Sequence, residues 1–520
     1  MEHLENVAEI ITRSARLYGE RIAYSKDGDT LSFRQLAHDA GHLAGHLRSL
    51  GVKNEVAVAV VLDKSLNFLR ALAAILQAGA IYVPIDAKYP DDRVRHILKD
   101  SATRHVITTS AHVPRLSALV GPEEVDFIPI DEFEKIGQSH TIDKAKQPSA
   151  SGNQVAYIIY TSGSTSLPKG VAIRHESLIN YIQETVKMYG FNEQTRILSV
   201  KSFSFDASFT DIFCPLYAGG RVYLMDETTI FPQLVEDRIK HHRITHISCT
   251  IPVFKLLAQK GTFHPETYAD MKTLSVGGDV MTPEAFHKIK TSLPHVRVFN
   301  RYGPTETTVA CCTYEVTTAT DQNKPVPIGK PHKNVFFRVL DEDGREIGKG
   351  GTGELYIGGV QVMEGYWRAP ELTAKVVSND QDGTRYYKTS DLVSLDENGD
   401  YVFLRRLDNI VKKHGYRISL DEIETAVVAG GLADECVCVF IPEDGKHGSR
   451  PRIVAYLKTQ GDAEIDEKTR EKLHRLLPGF MVPDLFIRAE SIPKGPTGKV
   501  ARQLLKQRFL DANQVAEQAL

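Results

Sequence analysis

The stretch "YTSGSTSLPKG", residues 160–170, concentrates groups that bind anions. Thr161, Ser162, Ser164, Thr165 and Ser166 are hydroxyl donors suited to anionic oxygen. Gly163 and Gly170 permit close backbone approach, and Lys169 adds a positive charge. Two readings are open for such a loop between apolar runs: a polar turn that only needs flexibility, or a cradle that wraps a phosphate. It is not a Walker loop, because Lys169 is followed by Gly170 instead of Ser or Thr.

The flanking elements must hold that loop. Tyr157 to Tyr160 is an apolar, strand-like run entering it. After it, "RHESLINYIQETVKMYG" reads as an amphipathic helix, with Leu178, Ile179, Ile182 and Val186 on one face and Gly190 at its end. Further upstream, Leu66, Leu69, Leu72 and Leu76 recur at helical spacing, Gly79 can stop that helix, and "AIYVPI" follows as a buried strand. Strand alternating with helix predicts an α/β fold with layered, mostly parallel sheets. A second boundary is expected near residue 408, after a strand, a turn at Asn398–Gly399 and a second strand. The last hundred or so residues carry their own strands, "CVCVFI", "RIVAYL" and "LFIRAE", and a helix, "DEKTREKLHRLL". The expected domains are therefore a large one over 1–407 and a small, mobile α+β domain over 408–520.

Composition excludes several classes. Of 520 residues, 42% are apolar and 25% charged, which is ordinary for a globular protein. Lys plus Arg is 63 against 66 for Asp plus Glu, so the net charge of −3 makes no electrostatic case for nucleic acid or an anionic membrane as partner. No apolar run is long enough to cross a bilayer, and "MEHLENVAEI" does not read as a secretory signal. The six cysteines form no Cys-x-x-Cys pair and are too sparse for a disulfide framework. They are expected to be reduced structural thiols in a cytoplasmic protein.

The hydroxyl loop resembles the phosphate-binding loop of the acyl-adenylate-forming superfamily, which includes nonribosomal peptide synthetase adenylation domains, acyl-CoA synthetases and luciferases. Further family-like motifs follow in order over nearly the whole chain: "LSFRQL", "LQAGAIYVPIDAKYPDDR", "FSFDASFTDIF", "NRYGPTETT", "GELYIGG", "YKTSDL", "RRLDNIVKKHGYRI" and "PTGKVAR". The resemblance implies an enzyme in which a carboxylate attacks the α-phosphate of ATP, giving an acyl-AMP and pyrophosphate. Catalysis of such a step is mostly positioning and cationic stabilisation of phosphate oxygens.

Carried over residue by residue, the resemblance implies that Thr161, Ser162, Gly163, Ser164, Thr165 and Lys169 hold the phosphates. Gly278, Asn300, Tyr302 and Gly303 match nucleotide-binding positions; Tyr302 would stack on adenine and Asn300 would accept from its amino group. Thr305 would contact the α-phosphate and Glu306 would help hold Mg²⁺. Asp391 would bind both ribose hydroxyls, with Arg406 as a second ribose or phosphate contact. Lys499 would bridge the acyl carboxylate and the nucleotide, and Asp408 would be the hinge. Asp206 matches the aspartate that pairs with the α-ammonium of amino-acid substrates. The rest of the substrate pocket would be Ala207, Thr210, Cys249, Ser275, Gly277, Arg301, Val309 and Ala310. Arg301 is the odd member among small neighbours. It could read an acceptor on the substrate, turn outward, or fill the pocket and restrict it to a small amino acid.

Ser166, Ser390, Arg405 and Ala501 depart from the commonest family pattern. Ser390 and Arg405 both stand where glycine is usual. The implied activity is that of an amino acid:carrier-protein ligase using ATP and Mg²⁺. The carrier, with its phosphopantetheine thiol, is expected to be a separate protein, and this chain a stand-alone enzyme or an excised domain. The alternatives are a CoA ligase for a small acid and a non-catalytic nucleotide-binding protein.

Overall fold

Local sequence signals start the elements. Ser32 opens the helix Phe33–Ser49 with a capping box: its hydroxyl accepts from Gln35 N at 3.1 Å, and Gln35 Oε1 accepts from Ser32 N at 3.0 Å. Ser65 caps Leu66–Gln77 in the simpler way, accepting from Phe68 N. That helix ends just before Gly79, whose φ of +78° an L-residue adopts only under strain. The chain then enters the buried strand Ile81–Asp86. The helix His175–Tyr189 stops in the same manner at Gly190, φ +69°.

The computed structural model describes residues 3–121, 124–132, 150–162, 167–226, 231–250, 253–254, 264–279, 283–321, 323–443, 450–459, 467–493 and 500–518. The chain forms two compact units. The first comprises Met1–Lys88, Ile97–Tyr160 and Gly170–Arg405; the second comprises Tyr89–His96, Thr161–Lys169 and Arg406–Leu520.

Among the described residues, the first unit carries a nine-stranded, a seven-stranded and a five-stranded sheet. In the nine-stranded sheet a parallel run joins Arg297–Tyr302, Thr273–Gly277, His246–Thr250, Arg196–Ser199, Arg221–Leu224 and Ile22–Lys26. Antiparallel strands, Cys312–Val316 and Asp29–Ser32, flank that run. In the seven-stranded sheet Val155–Thr161 pairs in parallel with Ile81–Asp86 and lies beside Lys169–Arg174, so the hydroxyl loop connects two neighbouring strands. The five-stranded sheet is antiparallel and includes Thr352–Gly359 and Arg385–Leu395. Helices pack on the parallel strands, and one continuous core runs from Ile10 through Leu69 and Tyr157 to Phe209 and Phe299. The architecture is α/β in layers, as the alternating pattern predicts.

The second unit holds a hairpin, Ile410–Lys413 with Tyr416–Ser419. Its turn residues His414 and Gly415 have φ of +54° and +81°, the backbone that suits the right-handed strand twist. A three-stranded sheet joins Glu435–Ile441, Arg452–Lys458 and Leu485–Arg488. The helix Leu420–Ala429 packs on it through a core containing Ile423, Cys438 and Ala455. All six cysteines are buried and form no disulfide. Among the described residues, no helix is long and apolar enough to cross a membrane.

Candidate active site

Parallel α/β sheets present ligand sites at the carboxyl ends of their strands. Here Thr273–Gly277 and Arg297–Tyr302 end side by side, with Gly277 in register with Arg301 and Ser275 with Phe299. The next strand pairs Ser248 with Ser275 and Thr250 with Gly277. Side chains alternate along a strand, so Ser248, Ser275, Gly277 and Arg301 share one face. Gly277 is required there, because a Cβ would lie 2.9 Å from the Arg301 carbonyl oxygen. Cys249 departs from the expected set. It pairs with Val276 on the opposite face and packs in the core with Leu274 and Val298, so the neighbouring Ser248 is the residue that meets Arg301.

Arg301 points inward and is buried, which removes the outward alternative. Its Nη1 donates to the Tyr181 hydroxyl at 3.1 Å and to Thr210 Oγ1 at 2.9 Å, and its Nη2 donates to Ser248 Oγ at 2.9 Å. Thr210 lies in the helix Phe209–Ala218, one turn beyond Asp206 in the short 3-10 turn Asp206–Ser208 that also holds Ala207. Asp206 is buried, and its Oδ2 has no hydrogen-bond partner among the described residues. Burial pushes its carboxyl pKa up, by more than the Thr305 hydroxyl and the Ala207 N–H pull it down.

Gly303 leads into a strained loop. A Cβ there would sit 2.5 Å from the Ala310 Cα, so only glycine lets the two segments touch. Thr305–Thr307 form a 3-10 turn, after which Thr308 and Val309 both have positive φ, +60° and +66°. For a β-branched residue that is an outlier, held only where the surroundings dictate it. Gln361, fully buried, supplies the constraint: its Nε2 donates to the carbonyls of Thr307 and Thr308 at 3.2 Å and of Ala310 at 2.9 Å. The Thr308 hydroxyl donates back to Gln361 O at 2.7 Å. Val309 and Ala310 are thereby fixed beside the buried Glu306. Glu306 Oε1 accepts from the Tyr366 hydroxyl at 2.9 Å.

A second carboxylate lies on a strand irregularity. The register between Thr352–Gly359 and Arg385–Leu395 shifts next to Glu354, and Ser390 there has φ +59°. This is a bulge, and it occurs where the family usually has glycine. It leaves Asp391 buried, with the Tyr302 hydroxyl donating to its Oδ2. Asn300 donates through Nδ2 to Pro327 O at 2.8 Å, which leaves its Oδ1 as acceptor. Gly278, φ +87°, follows the strand end at Gly277.

In the second unit, Arg406 holds Asp408 through two bonds, Nε to Oδ1 at 2.7 Å and Nη2 to Oδ2 at 2.6 Å. The Ser162 hydroxyl donates to Arg417 O, and Thr161 Oγ1 is buried without a partner among the described residues. Lys169 begins the strand Lys169–Arg174. Gly163, Ser164, Thr165 and Lys499 lie outside the described residues.

Tyr181, Lys201, Asp211, Ser248 and Gln361 were not legible as site residues. None sits in a motif read for chemistry except Asp211 in "FSFDASFTDIF", where Asp206 drew the reading.

Among the described residues, no cluster of three or more His, Cys, Asp or Glu side chains could hold a metal alone. Magnesium differs from such metals in keeping several waters and binding through one or two carboxylates plus substrate phosphates. The buried Glu306 carboxylate fits that requirement.

The layered α/β fold thus holds three buried carboxylates, Asp206 and Glu306 in 3-10 turns and Asp391 within a strand. The chain belongs to the AMP-binding enzyme family, whose model matches residues 11–367. It is 33% identical over 513 residues to tyrocidine synthase 1 of Brevibacillus parabrevis, covering 98% of this chain and 46% of that protein. The chain spans between 9% and 46% of the length of the first curated relatives it matches. Among solved structures, it resembles holo-PA1221, described as a nonribosomal peptide synthetase protein containing adenylation and PCP domains. The TM-score is 0.82 and the identity 25%, over 97% of this chain and 84% of that one. It also shares its fold with o-succinylbenzoate CoA synthetase from Bacillus subtilis, with TM-score 0.84 and 21% identity over 97% and 98% of the two chains. The protein is thus an adenylate-forming, AMP-forming ligase that uses ATP, and it is similar to the adenylation domains of nonribosomal peptide synthetases.

Proposed function

We propose that this enzyme activates an amino acid as its aminoacyl-AMP and passes it to the phosphopantetheine thiol of a carrier protein. The observation that carries the reading is Asp206: a buried carboxylate with one oxygen lacking any partner among the described residues. A cation beside such a carboxylate offsets the cost of burying its charge, and a substrate α-ammonium supplies one.

Asp206 holds the ammonium and so fixes where the substrate carboxylate lies. That carboxylate oxygen attacks the α-phosphorus of ATP; the bond from this phosphorus to the bridging oxygen breaks, and pyrophosphate leaves. Thr305, whose hydroxyl bonds Asp206, contacts the α-phosphate. Asp391, oriented by Tyr302, accepts from the ribose hydroxyls, with Arg406 as its second contact. Asn300 accepts from the adenine amino group through Oδ1. Gly278 and Gly303 keep the backbone clear of the base. Glu306 would help hold a magnesium ion, which when bound would draw charge from the phosphate oxygens. Thr161, Ser162, Gly163, Ser164, Thr165 and Lys169 hold the leaving phosphates, and Lys499 lowers the repulsion between the two anionic reactants. Residues 408–520 act as a domain hinged at Asp408.

The test is ATP–pyrophosphate exchange across amino acids and their deaminated counterparts, followed by loading of a carrier protein and, separately, of CoA. Exchange should require the amino group and the product should load the carrier. Equal exchange with the deaminated acids would show that Asp206 serves another purpose.

A further inference from the structure

Two buried cations converge on one hydroxyl. Ser248 Oγ accepts from Lys201 Nζ and from Arg301 Nη2, each at 2.9 Å. Both residues are only 8% exposed, so solvent screens neither charge effectively. Lys201 has a counter-ion in Asp211, 3.0 Å away and fully buried. Arg301 has none within ion-pair distance among the described residues. Its partners are neutral hydroxyls, those of Tyr181, Thr210 and Ser248 with Tyr189 as a further one, and its Nε has no acceptor among the described residues.

A guanidinium cannot shed its proton to escape burial. Asp211 acts on Arg301 as well as on Lys201, so one carboxylate faces two buried cations; the excess charge is costly, and such a group persists where a further anion completes it. The other carboxylate of the site, Asp206, is matched to the α-ammonium.

We propose that the amino acid activated here carries a carboxylate in its side chain, and that Arg301 selects it. The inference rests on the amino-acid reading of Asp206. Three of the five guanidinium N–H groups are used by Tyr181, Thr210 and Ser248. The Nε–H is without an acceptor among the described residues, and Nη2 keeps a second N–H beside the Tyr189 hydroxyl, which also bonds the guanidinium; Nε and Nη2 lie along one edge of it. That edge matches the two oxygens of a carboxylate. A side-chain amide offers one acceptor, sets its NH₂ against the second donor, and leaves the charge unanswered. An apolar side chain leaves both donors and the charge unanswered. Gly277, in register with Arg301, keeps the opposing strand free of a side chain at that level.

The experiment compares wild-type ATP–pyrophosphate exchange with aspartate, glutamate, asparagine, glutamine, alanine and leucine, each as both enantiomers, with Arg301→Leu and Arg301→Lys measured in parallel. One of the acidic amino acids should exceed its amide isostere by ~100-fold or more in kcat/KM, because mismatched buried polar groups discriminate strongly. Arg301→Leu should lose the acidic substrate and gain on its amide or an apolar one, and Arg301→Lys should retain part of the acid preference. If Arg301→Leu does not fold, the isostere comparison on the wild type decides alone. A preference for an amide, alanine or leucine overturns the inference while leaving amino-acid activation intact. A uniform loss with every amino acid in a folded Arg301→Leu also overturns it, since Arg301 would then read a group common to all. Exchange supported only by deaminated acids, or by none of these compounds, overturns the amino-acid reading itself.

Discussion

Replacing Gln361 by leucine keeps most of the side-chain volume and removes the amide that constrains the loop after Glu306. In the parent, the two Nε2 hydrogens serve three carbonyls, those of Thr307, Thr308 and Ala310, and Oε1 accepts from Asn180 Nδ2 at 3.0 Å. At least one hydrogen is shared, so the three donations are worth about two full bonds. Asn180 retains a second acceptor, Lys333 O, at 3.0 Å, which softens the loss on its side. A neutral bond contributes about 1 kcal/mol net, but a buried group left unsatisfied costs about 1–3 kcal/mol. The expected destabilisation is therefore about 3–5 kcal/mol, a large part of the roughly 5–15 kcal/mol typical of a folded domain. The left-handed backbone at Thr308 and Val309 adds to the effect, because its strain of roughly 1–2 kcal/mol per residue is then opposed only by backbone-carbonyl bonds such as Thr308 Oγ1 to the residue 361 oxygen. The loop should relax and carry Glu306, Val309 and Ala310 away from the productive geometry. Urea unfolding should show the loss of stability, and pyrophosphate exchange below the unfolding transition should show a fall in kcat/KM of at least ~10-fold. Gln361→Glu, which keeps the acceptor but loses the donors, should be as harmful. A Gln361→Leu protein within about 0.5 kcal/mol of the parent, with unchanged kcat/KM, would refute the reasoning, since that is the scatter of an ordinary surface substitution.

Asp206→Asn should bind ATP normally yet lose amino-acid-dependent exchange by ~100-fold or more, equivalent to about 3 kcal/mol for an unpaired buried charge; near-normal exchange would remove the ammonium clamp. Ser390→Gly should raise stability by up to ~1 kcal/mol by relieving the positive φ, and Ser390→Val should lower it, both read by urea unfolding; a tolerated valine would show that the bulge stores no strain. Burial holds His175, His246 and His332 down to about 4, 3 and 4. Below the ordinary value near 6.5 the unfolded chain takes up protons that the folded one refuses, so stability should fall as pH drops from about 6.5 toward 4, with a slope approaching ~4 kcal/mol per pH unit for three sites. An unfolding free energy that is flat between pH 7 and pH 5 would contradict this.

The sequence by itself determined what is local. Helical spacing of leucines ahead of Gly79, and of Leu178 to Val186 ahead of Gly190, specified those helices and their ends, because propensity, amphipathic period and caps act over a few residues. The ordered motifs specified the family and with it the α/β layers. They also singled out Asp206, Glu306 and Asp391 as residue types that adenylation chemistry requires. What the sequence left open is what depends on register and on distant partners. Arg301 had three possible readings, and the outward one falls only because Tyr181, 120 positions away, and Thr210, 91 positions away, hold it inside. Cys249 and Ser248 are adjacent in sequence, yet strand alternation sends them to opposite faces, and only pairing with Thr273–Gly277 decides which one meets Arg301. Gln361 follows "GELYIGG" without any motif signal, and its role exists only because folding brings its amide against carbonyls more than fifty positions earlier. A side chain's type is written in the sequence, but a buried group's partner is chosen by tertiary packing, which must pair every polar atom it removes from water.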